Sequence, residues 1–545
     1  MKKKFISTIL AMGMLASCVG AAGCGGGSGS SGEVEGKTNI SVGVFNRGVG
    51  REWIDEAAKR FESLYEGKSF ETDKMGVAVQ VNDCETGETL ANSRLRDDVY
   101  FTEAMDYYYL QSKGKLAPIT DIVSGESASL SAYGEETTIA GKLDKAMNDF
   151  LTAKDDQYYA IPYYDGFYGI IYDADMFARQ GWFLDNSGNF TKNHKSVGLD
   201  GVEGTYDDGL PQTYEQFQAL VEKIAGSGDV TPFLYSSASA PYFIELMSNY
   251  WANYEGKDKM LLNWYHDGEA DIISSFDGDE PVITQTTITA NNTSELQKQP
   301  GKYYALQFLK DIIMAEEGEY LTRATDHKEA QYQFISSILG GDDGDVQEGA
   351  VAMIFDGAWF ENEANMAGKY ELAMKDEPRD FTSVEEYKKE RNFGFMPIPK
   401  VSESQSNKQT IVSANDSFCF INAGTEGAEL EVAKEFVKFL HSEAELAAFT
   451  AKTSITRPYT YSLGEAEDDA SYFAKTLMQM KQTADIVYPY SNGAEYVANS
   501  SKYGIRKWAW SAKVSGNKPT NPFEYFRNHK SKTAKEYFEG LVEMY

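Results

Sequence analysis

Asn39-Ile40-Ser41-Val42-Gly43-Val44, then Phe45-Asn46-Arg47-Gly48-Val49-Gly50, then Trp53, Ile54, Ala57, Ala58, Phe61, Leu64 and Tyr65 form the stretch on which the fold turns. Ile40, Val42 and Val44 alternate with Asn39, Ser41 and Gly43, the period of two that a half-buried strand requires. The apolar residues from Trp53 to Tyr65 recur at helical spacing, so an amphipathic helix follows the strand. Val77, Val79 and Val81 mark a second strand. Asp98 to Phe101 predicts a short third one, leading into a helix over 105–111 that Gly114 ends. Strand–helix–strand alternation predicts a mainly parallel sheet with helices on both faces. Ligands of such sheets sit outside the carboxyl ends of the strands, which places Asn46, Arg47 and the residues after Phe101 at a rim.

Further along, Ile161-Pro162 leads into Tyr163-Tyr164-Asp165-Gly166-Phe167-Tyr168 and the apolar strand Gly169-Ile170-Ile171-Tyr172. Asp175 is expected to cap a short helix over 176–180, closed by Gly181. Thr213 and Gln216 have capping-box spacing before a helix over 214–224. Helices are also expected over 241–254, 303–315 and 433–449, and strands over 350–355 and 393–396. The stretches 184–209 and 256–300 are polar and read as insertions or long loops. No internal repeat is found.

At the front, Lys2, Lys3 and Lys4 precede an apolar run from Phe5 to Ala16, the layout of a cleaved secretory signal. Leu15-Ala16-Ser17-Cys18 and Ala21-Ala22-Gly23-Cys24 both resemble a lipobox. Cys24 is favoured, because a Gly/Ser tether over 25–36 follows it. Residues 1–24 are therefore expected to be signal peptide and lipobox, and the mature chain to be held by lipid on the extracytoplasmic side. The chain has 545 residues, more than one core usually serves, so two or more lobes are expected. Only Cys84 and Cys419 remain beyond the lipobox region, too few for a disulfide framework. A net charge of −32 argues against nucleic acid and against adhesion to anionic lipid beyond the anchor.

The order of these features resembles extracellular solute-binding protein family 1, the maltose-binding-protein-like receptors of ABC importers. The residues that carry the likeness begin with the first strand, loop and helix, then Asp98-Val99-Tyr100-Phe101, Lys115-Leu116-Ala117-Pro118-Ile119 and the Ile161-Pro162 crossing. They continue through Leu210-Pro211-Gln212-Thr213-Tyr214, Thr231-Pro232-Phe233 and Gly349-Ala350-Val351-Ala352-Met353 with Gly357 and Trp359. Phe393-Gly394 with Pro397-Ile398-Pro399, and Ala433-Lys434-Glu435-Phe436, complete the collinear set. The resemblance implies an α/β, two-lobed periplasmic-binding-protein-like fold of type II, with a hinge, that closes over ligand. By position, lobe 1 takes 37–162 with about 412–462, and lobe 2 takes 163–411 with about 463–545. The implied protein is a monomeric, non-catalytic receptor that delivers a small solute to ABC permease subunits.

A sugar is bound by aromatic rings against its C–H faces and by planar polar side chains on its hydroxyls. With 13% aromatic residues, an oligosaccharide is the favoured ligand. The ligand-binding candidates are Asn46, Arg47, Tyr108, Tyr163, Tyr164, Asp165, Tyr168, Tyr242, Trp251, Asp356, Trp359, Asn415 and Arg457. Trp359 is placed near ligand by the family resemblance. Core packing is the competing role for the rings. Asp200, Glu203, Asp207 and Asp208 sit in a Gly-punctuated loop and offer hard oxygen ligands for a structural Ca2+, against the alternative of a solvated loop. No other cofactor is required. Nucleophile-elbow, zincin and C-x-x-C motifs are missing, and the histidines His194, His266, His327, His441 and His529 lack ligand spacing. Two other readings remain: a secreted glycoside hydrolase, and a ligand-sensing lipoprotein coupled to a membrane kinase.

Overall fold

The computed structural model describes residues 33–193, 195–236, 240–315, 318–337, 339–340, 345–346, 349–377, 379–405, 408–414, 416–499, 510–512 and 521–542. The lipobox candidates Cys18 and Cys24 lie outside them, as does Asn415. The strands that build the two main sheets are β1 (Thr38–Val44), β2 (Val77–Asp83), β3 (Val99–Thr102), β4 (Ile161–Pro162) and β5 (Tyr168–Asp173), then β6 (Val230–Ser236), β7 (Leu321–Ala324), β8 (Ala350–Gly357), β9 (Phe393–Phe395) and β10 (Phe418–Ile421).

The first sheet has the order β2-β1-β3-β10-β4, and the second β7-β6-β8-β5-β9. The chain thus builds most of one sheet, crosses after Pro162 to build the other, and returns for β10. This gives a two-lobed α/β fold. β1 runs parallel to β2 and β3, from Thr38 opposite Val77 to Val44 opposite Asp83. β6 runs parallel to β7 and β8. The pairings through β10 and β5 are antiparallel. Each sheet is therefore mixed rather than mainly parallel, since the strands beside each crossing enter from the opposite lobe.

Local chemistry explains most elements. Trp53, Ile54, Ala57, Ala58 and Phe61 form the buried stripe of the helix Glu52–Leu64, at the spacing that packs one helical face on a sheet. All eight residues of β8 are buried, as a central strand covered on both faces must be. Thr213 Oγ accepts from Gln216 N at 3.2 Å, and Gln216 Oε1 accepts from Gln212 N at 2.7 Å. The helix Ala174–Gln180 is capped by Asp173 rather than by Asp175. Asp175 instead accepts from Asn392 N and Nδ2 at 3.0 and 2.8 Å.

Three further expectations change. The single helix expected over 433–449 is two helices, Gly427–Leu440 and Glu443–Thr453, because Ser442 caps the second. The helix expected over 303–315 begins at Pro300, runs to Gln307 and widens into a π turn over Phe308–Ile313. The polar stretch 256–300 is ordered, with a helix Lys257–Tyr265 and an antiparallel hairpin of Gly268–Asp277 with Glu280–Ile288. Its polarity reflects solvent on the outer strand, which is largely exposed.

Most buried apolar residues of both lobes form one connected network, with Leu262, Ala270, Ile288 and Leu296 in a second, small cluster. Tyr163 and Phe167 of the crossing, and Tyr459 and Tyr488 of the later segments, belong to this shared network. The C-terminal segment touches both lobes. Tyr490 stacks on Phe150 of the first lobe at 4.4 Å, and Phe523 on Phe243 of the second at 3.9 Å between ring centroids.

Candidate ligand-binding site

Trp359 is set by two glycines. β8 ends at Gly357, where a Cβ would come within 2.4 Å of the Trp359 indole. Only glycine lets the indole fold back over the strand end. From the first lobe, Gly48 brings the loop after β1 against the other side, where a Cβ would lie 3.3 Å from Trp359 Cβ. The indole packs edge to face on Tyr168 at 4.9 Å, and Tyr242 lies 5.3 Å from Tyr168 and 6.2 Å from Trp359. Tyr168 is buried, while Tyr242 and Trp359 are partly exposed. Three rings thus form a wall at the boundary of the two lobes.

A short helix, Phe360–Met366, continues from Trp359. Asn362 Nδ2 donates to Gly48 O and Val49 O, both at 2.8 Å. Gly50 closes that loop at φ +71°, with its N–H on Arg47 O at 2.6 Å. Asn46 and Arg47 are exposed on the same loop, and Asn46 Nδ2 donates to Asp83 at 3.3 Å.

Beneath the rings lies a buried polar chain. Asp356 is 2% exposed, and Gln331 Nε2 donates to its Oδ2 at 3.1 Å and to Glu363 Oε2 at 2.7 Å. His327 Nε2 stands 3.7 Å from Glu363 Oε1. Burial, and then the nearby Glu363 carboxylate, push the Asp356 carboxyl up to about 8. The same burial holds the Tyr242 hydroxyl well above the usual phenol range.

The remaining candidates lie elsewhere. Tyr163 is fully buried among Trp53, Phe101, Tyr164 and Phe449, and its hydroxyl accepts from Trp53 Nε1 at 3.1 Å. Tyr164 is 4% exposed, and its carbonyl accepts from Ser417 Oγ at 3.2 Å. Asp165 is fully buried; its oxygens accept from Thr456 Oγ at 2.9 Å, Lys481 Nζ at 3.0 Å, Tyr488 Oη at 3.2 Å and Ser413 Oγ at 3.3 Å. Arg457 donates to Tyr163 O and Leu440 O at 2.8 Å each, and to His441 Nε2 at 2.7 Å. Tyr108 is buried on Phe150, to whose carbonyl its hydroxyl donates. Trp251 is buried beside Trp510 and donates to Gln299 at 3.1 Å. In this arrangement the side chains of Tyr108, Tyr163, Asp165, Trp251 and Arg457 spend polar atoms on the chain itself.

In the acidic loop, Asp207 is fully buried and accepts from Leu199 N, Asp200 N and Thr205 Oγ at 2.6, 3.0 and 2.9 Å. Asp200 and Asp208 accept from Val202 N and Gly204 N, each at 2.7 Å, and Glu203 is exposed. Among the described residues, no three His, Cys, Asp or Glu side chains are gathered as a metal site.

Sequence reading missed Gln331, Asn362 and Glu363. Nothing in their spacing separates them from ordinary surface positions of a helix; Asn362 finds its partners across the lobe boundary, while Gln331 and Glu363 meet Asp356 and one another within the second lobe.

Residues 48–447 match the pattern of a protein family described as bacterial extracellular solute-binding protein. No curated protein matches the chain. Among solved structures, the fold is similar to the GacH receptor of Streptomyces glaucescens GLA.O, at 13% identity over 93% of this chain and 97% of that one, with a TM-score of 0.50. It is likewise similar to the cyclic alpha-maltosyl-1,6-maltose binding protein from Arthrobacter globiformis, at 13% identity over 93% and 98% of the two chains, with a TM-score of 0.51. A match over most of the chain, on a two-lobed fold whose lobes meet at an aromatic wall, makes the conclusion plain: the chain belongs to the bacterial extracellular solute-binding protein family.

Proposed function

We propose that this protein captures an oligosaccharide between its two lobes and delivers it to the permease of an ABC importer. The observation that carries this reading is the wall of Tyr168, Tyr242 and Trp359 at the lobe boundary. Partly exposed rings can lie against the C–H faces of a sugar, while residues of the Asn46–Arg47 loop can reach its hydroxyls from the other lobe. The solved relatives add support: by name, one binds cyclic alpha-maltosyl-1,6-maltose, and the GacH receptor forms a complex with acarbose.

In this reading, 37–162 with about 412–462 move as one lobe and 163–411 with about 463–545 as the other. Ligand shifts the population from open to closed. No helix among the described residues is long and apolar enough to cross a membrane, and we assign membrane attachment to lipid on Cys24 (or Cys18). The protein acts as a monomer and does no covalent chemistry; Ca2+ in the loop 200–208 would be structural.

The experiment is calorimetry of the full chain against acarbose, cyclic alpha-maltosyl-1,6-maltose and linear oligosaccharides, with chromatography of the recovered sugar. Binding with the sugar returned intact is expected. Cleaved product would favour the hydrolase instead, and no binding across the panel would remove the oligosaccharide assignment.

A further inference from the structure

The helix Phe360–Met366 joins the lobes by two unlike contacts made by adjacent residues. Asn362 Nδ2 donates to the carbonyls of Gly48 and Val49, each at 2.8 Å, with Met366 Sδ of its own helix farther off at 3.6 Å. Glu361, fully buried, accepts through Oε2 from Ser471 Oγ at 2.5 Å and from Ser454 Oγ, with Lys388 Nζ at 3.4 Å. Ser454 ends the helix Glu443–Thr453, which is fixed to the first lobe by the ion pair of Glu445 with Arg60 at 2.7 Å and by Phe449 on Trp53 at 4.9 Å.

The two contacts respond differently to a separation of the lobes. Gly48 O and Val49 O belong to a loop at the rim, so water can replace Asn362 on both when the lobes part. The Glu361 carboxylate is fully buried, so parting from its serine partners where water does not reach would leave a buried charge without hydrogen bonds, at a large cost. One contact is exchangeable and the other is not.

The geometry points to Asn362 as the positioning residue for closure, and to Glu361 as the pivot about which the helix turns. Its two carbonyl bonds form only when the loop after β1 reaches Trp359, so Asn362 contributes to closure equally with or without a guest. It also holds the indole against Gly48, where a Cβ would have only 3.3 Å, and so sets the position of the aromatic wall. Closure is therefore encoded partly in the protein's own contacts, and ligand adds to an equilibrium that Asn362 already biases. This rests on the two-lobe reading and not on the identity of any sugar.

The test compares the full chain with Asn362→Leu, without added sugar, by small-angle X-ray scattering and by the fluorescence of Trp359, isolated by subtracting a Trp359→Phe background. Two neutral hydrogen bonds correspond to a closed-to-open ratio lowered on the order of tenfold. The expected result is a larger radius of gyration and red-shifted Trp359 emission, at an unchanged melting midpoint. Gly48→Leu, which wedges the indole from the other side, should give the same shift. Identical scattering and emission in parent and variants would overturn the proposal. So would a strongly lowered melting midpoint in Asn362→Leu, which would assign the residue to folding. A failure of every sugar to bind sinks the proposed function and leaves this test readable.

Discussion

Two aromatic and acidic segments of this chain look alike in sequence and differ in what their polar atoms do. Tyr163-Tyr164-Asp165 follows the Pro162 crossing, and Asp356-Gly357-Ala358-Trp359 follows the end of β8. At the crossing both carboxylate oxygens of Asp165 are taken by the chain, from Ser413, Thr456, Lys481 and Tyr488. At the end of β8, Trp359 and Tyr242 keep part of their surface open at the lobe boundary. The difference separates a segment that buries its rings and spends its hydrogen bonds internally from one whose rings pack only partway.

The sharpest way to break this contrast is Asp165→Ala. It leaves the Lys481 ammonium, 3.0 Å away and nearly buried, without its counter-charge, and breaking such a pair costs about 3–5 kcal/mol. The melting midpoint, followed by calorimetry, should fall steeply. An unchanged midpoint would show that the Asp165–Lys481 pair does not hold the crossing together.

Next in size is Trp359→Ala. If the face binds sugar, affinity should fall roughly 10- to 100-fold, the loss of about 1–3 kcal/mol typical of a ring at the centre of a contact. The ligand-free midpoint should move far less than in Asp165→Ala. The reverse pattern, an intact affinity with lost stability, would place Trp359 with the crossing.

A smaller effect is read from pH. Burial, and then the Arg457 cation, hold His441 well below its ordinary 6.5, while its Nε2 accepts from Arg457. A folded-state pKa below the unfolded one gives stability that is full above about 6.5 and is lost as pH falls. The midpoint should decline below that pH with a shallower slope in His441→Gln. Equal slopes would remove His441 from the acid response.

Asp356 has the opposite sign. Its carboxyl is pushed from 3.8 up to about 8, so its contribution is full below the unfolded value and lost as pH rises through the folded one. Asp356→Asn should therefore gain midpoint relative to the parent between about pH 4 and 8, with little difference below that window. A gap that does not widen with pH would mean that Asp356 ionises without penalty.

Much of the fold was legible because periodicity survives in local sequence. β1, the helix after it, β8 and the Thr213 cap follow from spacing alone. The break at Ser442 and the hairpin in the polar stretch 256–300 were not legible in the same way. A helix cap inside a continuous apolar stripe, and a ribbon exposed on its outer strand, leave weak periodic signals. The candidate site was legible only in residue type. Tyr168, Tyr242 and Trp359 converge in space, while Tyr163, Trp251 and Arg457, equally promising as letters, are buried in structural roles.

By itself, the sequence determined the strand and helix alternation, the crossing at Pro162 and the family pattern, since these depend on neighbours within a few residues. Tertiary structure alone decided which rings remain open and that Asn362 meets Gly48 and Val49, more than 300 positions away. Burial and pairing depend on what the far parts of the chain bring alongside, and no local spacing carries that information.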